Sequence, residues 1–196
     1  MKSLVPILVI IIIILVGGLS FFLGKSGTFI KTNPSPTSTL TGTPTATPKS
    51  TRKVTGGGIL SFPKYELTVP DDWLNKRESQ GADDEKIILT KGAYQISITQ
   101  GGFGGAVCLF PGDADIEGPS ARYDNYKELT TQSGDEFRRS WTGDEMASKG
   151  YGICHKTQYG WGAPTLYGHI AFITPAIKVR AMIDEMDAIL SSLKKI

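Results

Sequence analysis

Leu4 to Leu23 is a run of 20 residues without a charge, centred on Ile10-Ile11-Ile12-Ile13-Ile14. A helix of that length rises about 30 Å, the hydrocarbon thickness of a bilayer. Core helices of soluble proteins are rarely apolar on every face. A cleaved signal peptide has a shorter apolar region and a small-x-small cleavage site. Gly18-Leu19-Ser20 satisfies that pattern, but a cut there leaves Phe21-Phe22-Leu23 as an apolar new terminus. The segment reads as a retained transmembrane helix over residues 4–23, with residues 1–3 on the cytoplasmic side and a cleaved signal as the alternative. The lipid bilayer is therefore the first expected partner.

Residues 24–55 read as a linker. Of the 20 residues from Thr32 to Thr51, 15 are Thr, Pro or Ser. A stretch with so little to bury cannot offset the entropy of ordering, so disorder is expected. Its prolines favour an extended polyproline form, whether as a plain spacer or as a glycosylated stalk. Lys2 flanks one side of the apolar run and Lys25 and Lys31 the other, so the positive-inside rule does not orient it. The stalk composition and the cysteine usage point the remainder of the chain outward, giving a single-pass membrane protein with an extracytoplasmic C-terminal domain.

That domain, residues 56–196, is long enough for one core of its own. It holds all 19 acidic residues of the chain against 15 Lys and Arg, a net charge of −4 that the chain-wide value of +2 conceals. Nucleic-acid affinity rests on neutralising phosphates, so no nucleic-acid partner is expected.

Its periodicity is mostly two. Tyr65-Glu66-Leu67-Thr68-Val69 alternates and stops at Pro70-Asp71-Asp72. Ile87–Leu89 and Tyr94–Ile98 read as strands on either side of a turn at Lys91-Gly92. Val107–Phe110, Phe137–Trp141, Tyr151–Tyr159 and a long strand over Thr165–Thr174 follow. Met182, Ile183, Met186, Ile189, Leu190 and Leu193 then repeat at helical spacing, with Asp184, Glu185 and Asp187 early and Lys194 and Lys195 late, a polarity that suits the helix dipole. The helix start is open between Pro175 and Ala181. The expected fold is α+β: an antiparallel β-sheet, arranged as a meander, packed against a C-terminal amphipathic helix.

Tyr65-x-Leu67-x-Val69-Pro70-x-x-Trp73 at the start of the domain resembles the PsbP-like fold family, as does Met186-Asp187-x-Ile189-Leu190-Ser191-Ser192-Leu193-Lys194 at its end. The resemblance implies an antiparallel sheet flanked by helices and a binding or assembly role without catalysis. It transfers no functional residue to this chain.

Several residues invite chemistry. Cys108 and Cys154 are the only cysteines; an outward domain and an even count favour a disulfide over two buried free thiols. Cys154-His155 and His169 lack the local pairs, C-x-x-C or H-x-x-x-H, that zinc sites use. Asp113-x-Asp115-x-Glu117-Gly118, with Asp124 at the twelfth position, matches part of an EF-hand loop. These four are candidate Ca²⁺ ligands, against the alternative of an acidic surface loop; no other cofactor is expected. Gly101-Gly102-Phe103-Gly104-Gly105 lacks the Lys-Ser/Thr of a phosphate loop and reads as a wide hairpin connection. Tyr151, Tyr159, Trp161 and Tyr167 either line a glycan surface or serve as ordinary strand and core residues.

No G-x-S-x-G or H-E-x-x-H pattern occurs. The expected function is a membrane-anchored, extracytoplasmic, non-catalytic binding or accessory module with an envelope protein partner. The alternative is a cell-envelope hydrolase acting on glycan or peptide.

Overall fold

The computed structural model describes residues 49–79 and 81–196. The expected transmembrane helix over 4–23 and the linker as far as residue 48 lie outside the described residues. The linker's last part is corrected: Thr51–Gly57 is a strand, β1. Only Val54 and Gly56 of β1 are buried. A full antiparallel ladder with β2 (Lys64–Pro70), from Thr51 opposite Pro70 to Gly57 opposite Lys64, makes up for this weak apolar signal. Among the described residues no helix is long and apolar enough to cross a membrane.

The remaining elements are β3 (Leu74–Glu78), β4 (Glu85–Lys91), β5 (Tyr94–Gln100), β6 (Ala106–Leu109), β7 (Ser120–Arg122), β8 (Asn125–Thr130), β9 (Glu136–Trp141), β10 (Tyr151–Thr157), β11 (Gly160–Ala163), β12 (His169–Ile173), α1 (Arg180–Ser191) and β13 (Lys194–Lys195). A small sheet runs β1-β2-β13. A larger one runs β3-β4-β5-β12-β10-β11-β6-β7, with β9 on β10 and β8 on β9. All pairs are antiparallel except β6 with β7. The β4–β5 hairpin forms where expected, its two-residue turn using Gly92 at φ 57°.

The meander does not hold beyond β5, and two expectations fail together. Ile98 pairs with Ile170 and Thr99 with His169, and the same line resumes with Ala106 opposite Ala163 and Cys108 opposite Trp161. Thus β5 and β6 run in one direction along β12 and then β11. The glycine segment 101–105 is a break between successive strands rather than a hairpin. Opposite it, the expected strand Thr165–Thr174 is interrupted by a tight turn in which Thr165 and Gly168 bond each other. Gly168 takes φ 108°, and a Cβ there would overlap the Thr99 carbonyl. Both partners break at the same place, so β10 carries β12 on its first half and β11 on its second, along one edge.

The core lies between the sheets and α1. Tyr65, Leu67, Val69, Trp73, Ile87, Leu89, Ile96, Ile98, Phe137 and Tyr167 meet Ile183, Met186, Ile189, Leu190 and Leu193 there. The helix starts at Arg180, settling the open boundary, and the Val179 N–H donates to the Tyr94 hydroxyl at 2.7 Å. The dipole expectation is corrected: no acidic side chain stands in the first turn and no basic one in the last. The acids of α1 instead reach sideways to cations on neighbouring strands.

Asp187 is the most consequential of these acids. It sits on the buried face of α1 opposite Arg139 of β9, whose exposure is 0%. Arg139 Nε donates to Asp187 Oδ1 at 2.6 Å and Nη2 to Oδ2 at 3.2 Å; Nη2 also reaches Glu145 Oε1 at 2.8 Å. The guanidinium lies 4.5 Å from the Tyr151 ring centre and 5.1 Å from that of Trp141. Lys127 and Arg180 close the network from outside, on Asp187 and Glu145. Burial works against the charge on Arg139, but the bonds from Asp187 and Glu145 outweigh it and raise its pKa. Asp187→Ala should destabilise the chain by about 3–5 kcal/mol, because it leaves a buried charge half-compensated. Chemical denaturation of the full chain measures this, and Asp187→Glu should recover part of the loss.

Glu185, two residues earlier, accepts from Lys49 at 2.7 Å, Lys91 at 2.7 Å and the Trp73 indole N–H at 2.6 Å. Burial raises its carboxyl pKa, but these bonds win and bring it from 4.5 down to about 2. A carboxylate with a depressed folded pKa contributes stability that is fully present above its unfolded value and is lost as pH falls through the folded one. Stability should therefore decline from about pH 4.5 toward pH 2. Glu185→Gln should flatten that stretch of the profile, as followed by thermal melts across the acid range.

Candidate binding groove

Successive residues of a strand face opposite sides. On β10, Cys154 and Lys156 therefore face one side and His155 and Thr157 the other. Cys154 pairs with Arg138, and Lys156 pairs with Trp161. On this outer face Cys108 and Cys154 form a disulfide with Cα atoms 6.3 Å apart. In sheet order β11 lies between β6 and β10, so a flat sheet would separate these strands by roughly 9.5 Å. The sheet therefore curves sharply across β11, and the disulfide ties β6 to β10 over it. Phe110, Tyr123, Trp161 and Ala163 pack around the two cysteines. A Cβ on Gly152 would run into the Tyr123 hydroxyl, so only glycine lets that ring lie over β10.

Arg138 seals the outer face. Its guanidinium stands 3.7 Å from the ring centre of Tyr126, 4.1 Å from that of Trp161 and 4.6 Å from that of Phe110. Its Nη2 reaches Glu128 at 2.8 Å. The cation fills an aromatic box built from β8, β11 and the end of β6.

The other face carries the groove. Val107, Gly162 and His155 form one cross-strand row over β6, β11 and β10. Gly162 contributes no side chain to the row, and the gap is the floor of a cavity of about 440 Å³. Ala106, Val107, Ile116, Pro119, Ala163 and Pro164 supply its apolar lining. His155, Thr157 and Glu117 supply the polar one, and Tyr159 and Trp161 border it. The floor has room: a Cβ on Gly162 meets only the Ala106 carbonyl oxygen at 3.4 Å and Thr157 Cγ2 at 3.8 Å.

The polar groups share a character. His155 Nδ1 lies 3.0 Å from the Gly162 carbonyl, which only accepts, so Nδ1 carries a hydrogen and Nε2 is the ring nitrogen left for a ligand. Glu117 makes no hydrogen bond or ion pair among the described residues. The Thr157 hydroxyl donates to the Gly160 carbonyl and accepts from the Tyr159 N–H, each at 3.1 Å. These two bonds set the backbone of the β10–β11 turn, with Gly160 at φ 126°, and Tyr159 stands 91% exposed on it.

The four Ca²⁺ candidates are spread out. Asp113 Oδ2 accepts from the Phe110 N–H at 2.7 Å, Asp115 pairs with Arg122, Glu117 lines the groove, and Asp124 Oδ2 accepts from the Gly143 N–H at 2.9 Å. The extended β7 occupies the stretch between Glu117 and Asp124 that an EF-hand would wrap. Among the described residues no three His, Cys, Asp or Glu side chains gather where they could hold a metal.

Of the four aromatics read as one surface, Tyr151 and Tyr167 are core residues, and only Tyr159 and Trp161 reach the groove. Sequence reasoning missed Gly162, Val107 and Pro164. A glycine on either side of Trp161 was the one available signal. Compared with known proteins, the chain matches no protein family, no curated protein and no solved structure. The resemblance to the PsbP-like family rests on its two segments alone; Tyr65, Leu67, Val69, Trp73, Met186, Ile189, Leu190 and Leu193 are all core residues.

The disulfide should protect both cysteines from a thiol reagent in denatured, unreduced chain. The loop-entropy relation puts its contribution at about 4 kcal/mol for the separation of 46 residues. Reduction should lower the denaturation midpoint accordingly, and Cys108→Ala with Cys154→Ala should reproduce the loss.

Proposed function

We propose that this chain is a membrane-anchored, extracytoplasmic module that binds a ligand or supports an envelope protein partner without catalysing a reaction on it. The observation that carries this reading is the groove. Its lining is mainly apolar, with a few fixed polar groups at one side, the usual make-up of a binding cavity. The carboxyls of Glu185 and Glu145, both held below the usual carboxylate range by their pairing, bond cations that join α1 to the strands, where they serve the fold. A formed disulfide fits a domain outside the reducing cytoplasm. The resemblance of the domain ends to the PsbP-like family agrees with an accessory role.

The test is a hydrolysis screen of the full chain, reconstituted in lipid nanodiscs, against ester, peptide and glycan substrates. No turnover is expected. Turnover that disappears in His155→Ala would replace this reading with an envelope hydrolase.

A further inference from the structure

We infer that the groove takes a neutral glycan, its sugar rings lying against Tyr159 and the apolar wall. The inference rests on the groove being a binding site and adds the class of ligand. Three features of the lining carry it.

The first is charge. No Lys or Arg lines the groove, and Glu117 is its one formal charge. A phosphate, a sulfate or an acidic peptide would find nothing there to neutralise it and one carboxylate to repel it.

The second is hydrogen-bond polarity. The Glu117 carboxylate, which has no partner among the described residues, accepts, as does Nε2 of a neutral His155 ring, while the Thr157 hydroxyl spends its hydrogen on Gly160. The groove therefore calls for a ligand rich in donors that also presents apolar area. A sugar ring has both: hydroxyl donors around its edge and C–H groups on its faces.

The third is strand pairing. A bound extended peptide gains much of its affinity by adding to a free sheet edge. At the groove, β10 is flanked by β9 and β11, β11 by β10 and β6, and β6 by β11 and β7. The free edge of the sheet here is that of β7, none of whose residues lines the cavity, so among the described residues a peptide backbone in the groove has no ladder to join. A glycan needs none. The Tyr159 ring, 91% exposed on a turn whose backbone is fixed by two hydrogen bonds and a glycine, supplies a flat face open to stacking.

The experiment titrates the full chain in nanodiscs with chitotetraose and cellotetraose, and in parallel with tetraproline peptide and inorganic phosphate. Ligand-observed NMR and calorimetry follow binding. At least one oligosaccharide should bind saturably below about 10 mM. Tyr159→Ala should weaken that binding by roughly tenfold while Tyr159→Phe keeps it. Gly162→Val, which fills the floor, should abolish it with the melting temperature retained. Tetraproline binding lost in Tyr159→Ala, with no oligosaccharide binding, would keep the groove as a site and overturn the glycan class. Binding of no probe would overturn both readings. Oligosaccharide binding indifferent to Tyr159→Ala and Gly162→Val would move the site elsewhere and overturn the inference.

Discussion

A single guanidinium with no exposure to solvent organises the packing of helix on sheet. Arg139 projects from β9 into the space where an apolar side chain would ordinarily sit, and Asp187 meets it from α1. A buried ion pair of this kind is not a large net source of stability, since desolvation cancels most of the attraction. Its value lies in discrimination. The apolar contacts of Ile183, Met186, Ile189 and Leu190 have no direction, whereas the two bonds between the Asp187 carboxylate and the Arg139 guanidinium need one relative placement. Tyr151 and Trp141 complete the enclosure, so the register of β9 against β10 and the azimuth of α1 are set by the same contact.

Local pattern was a good guide where the partner is adjacent in sequence. The alternation over Tyr65–Val69 became β2, the apolar pairs around Gly92 became the β4–β5 hairpin, and the helical repeat from Met182 became α1. Non-local pairing was the part that pattern did not carry. Leu74–Glu78 has no apolar alternation and forms a strand because β4 offers an edge to it. Asn125–Thr130 has one buried residue, Leu129, and is held by its ladder with β9. The coincident breaks at Gly101–Gly105 and Pro164–Gly168 could not be seen in either segment alone, because each is a turn only in relation to the other. The cysteine pair was legible for a different reason: with two cysteines there is one possible bridge.

The groove was less legible than the fold. Its floor is the absence of a side chain, Gly162, between a valine and a histidine that are 48 residues apart in sequence and share one row. Sequence patterns draw attention to chemistry-bearing residues, and so singled out the acidic run from Asp113. Those carboxylates turn out to bond backbone N–H groups and an arginine, leaving Glu117 as the member that reaches a cavity. The aromatic run was half informative. Trp161 stacks on Arg138 and also borders the groove, while Tyr159 stands exposed beside it on the β10–β11 turn.

The bridge between Cys108 and Cys154 also closes a covalent ring that contains β7, β8 and β9. The stretch from Pro111 to Pro119 within it is exposed throughout, the kind of loop an extracellular protease cuts first. A single cut there opens the ring without dividing the chain. The N-terminal piece, with β1 to β6, stays covalently joined to the C-terminal piece, with β7 to β13 and α1, through one sulfur–sulfur bond between two buried residues. A nicked molecule of this design migrates as an intact chain until it is reduced, and both pieces stay in one covalent unit.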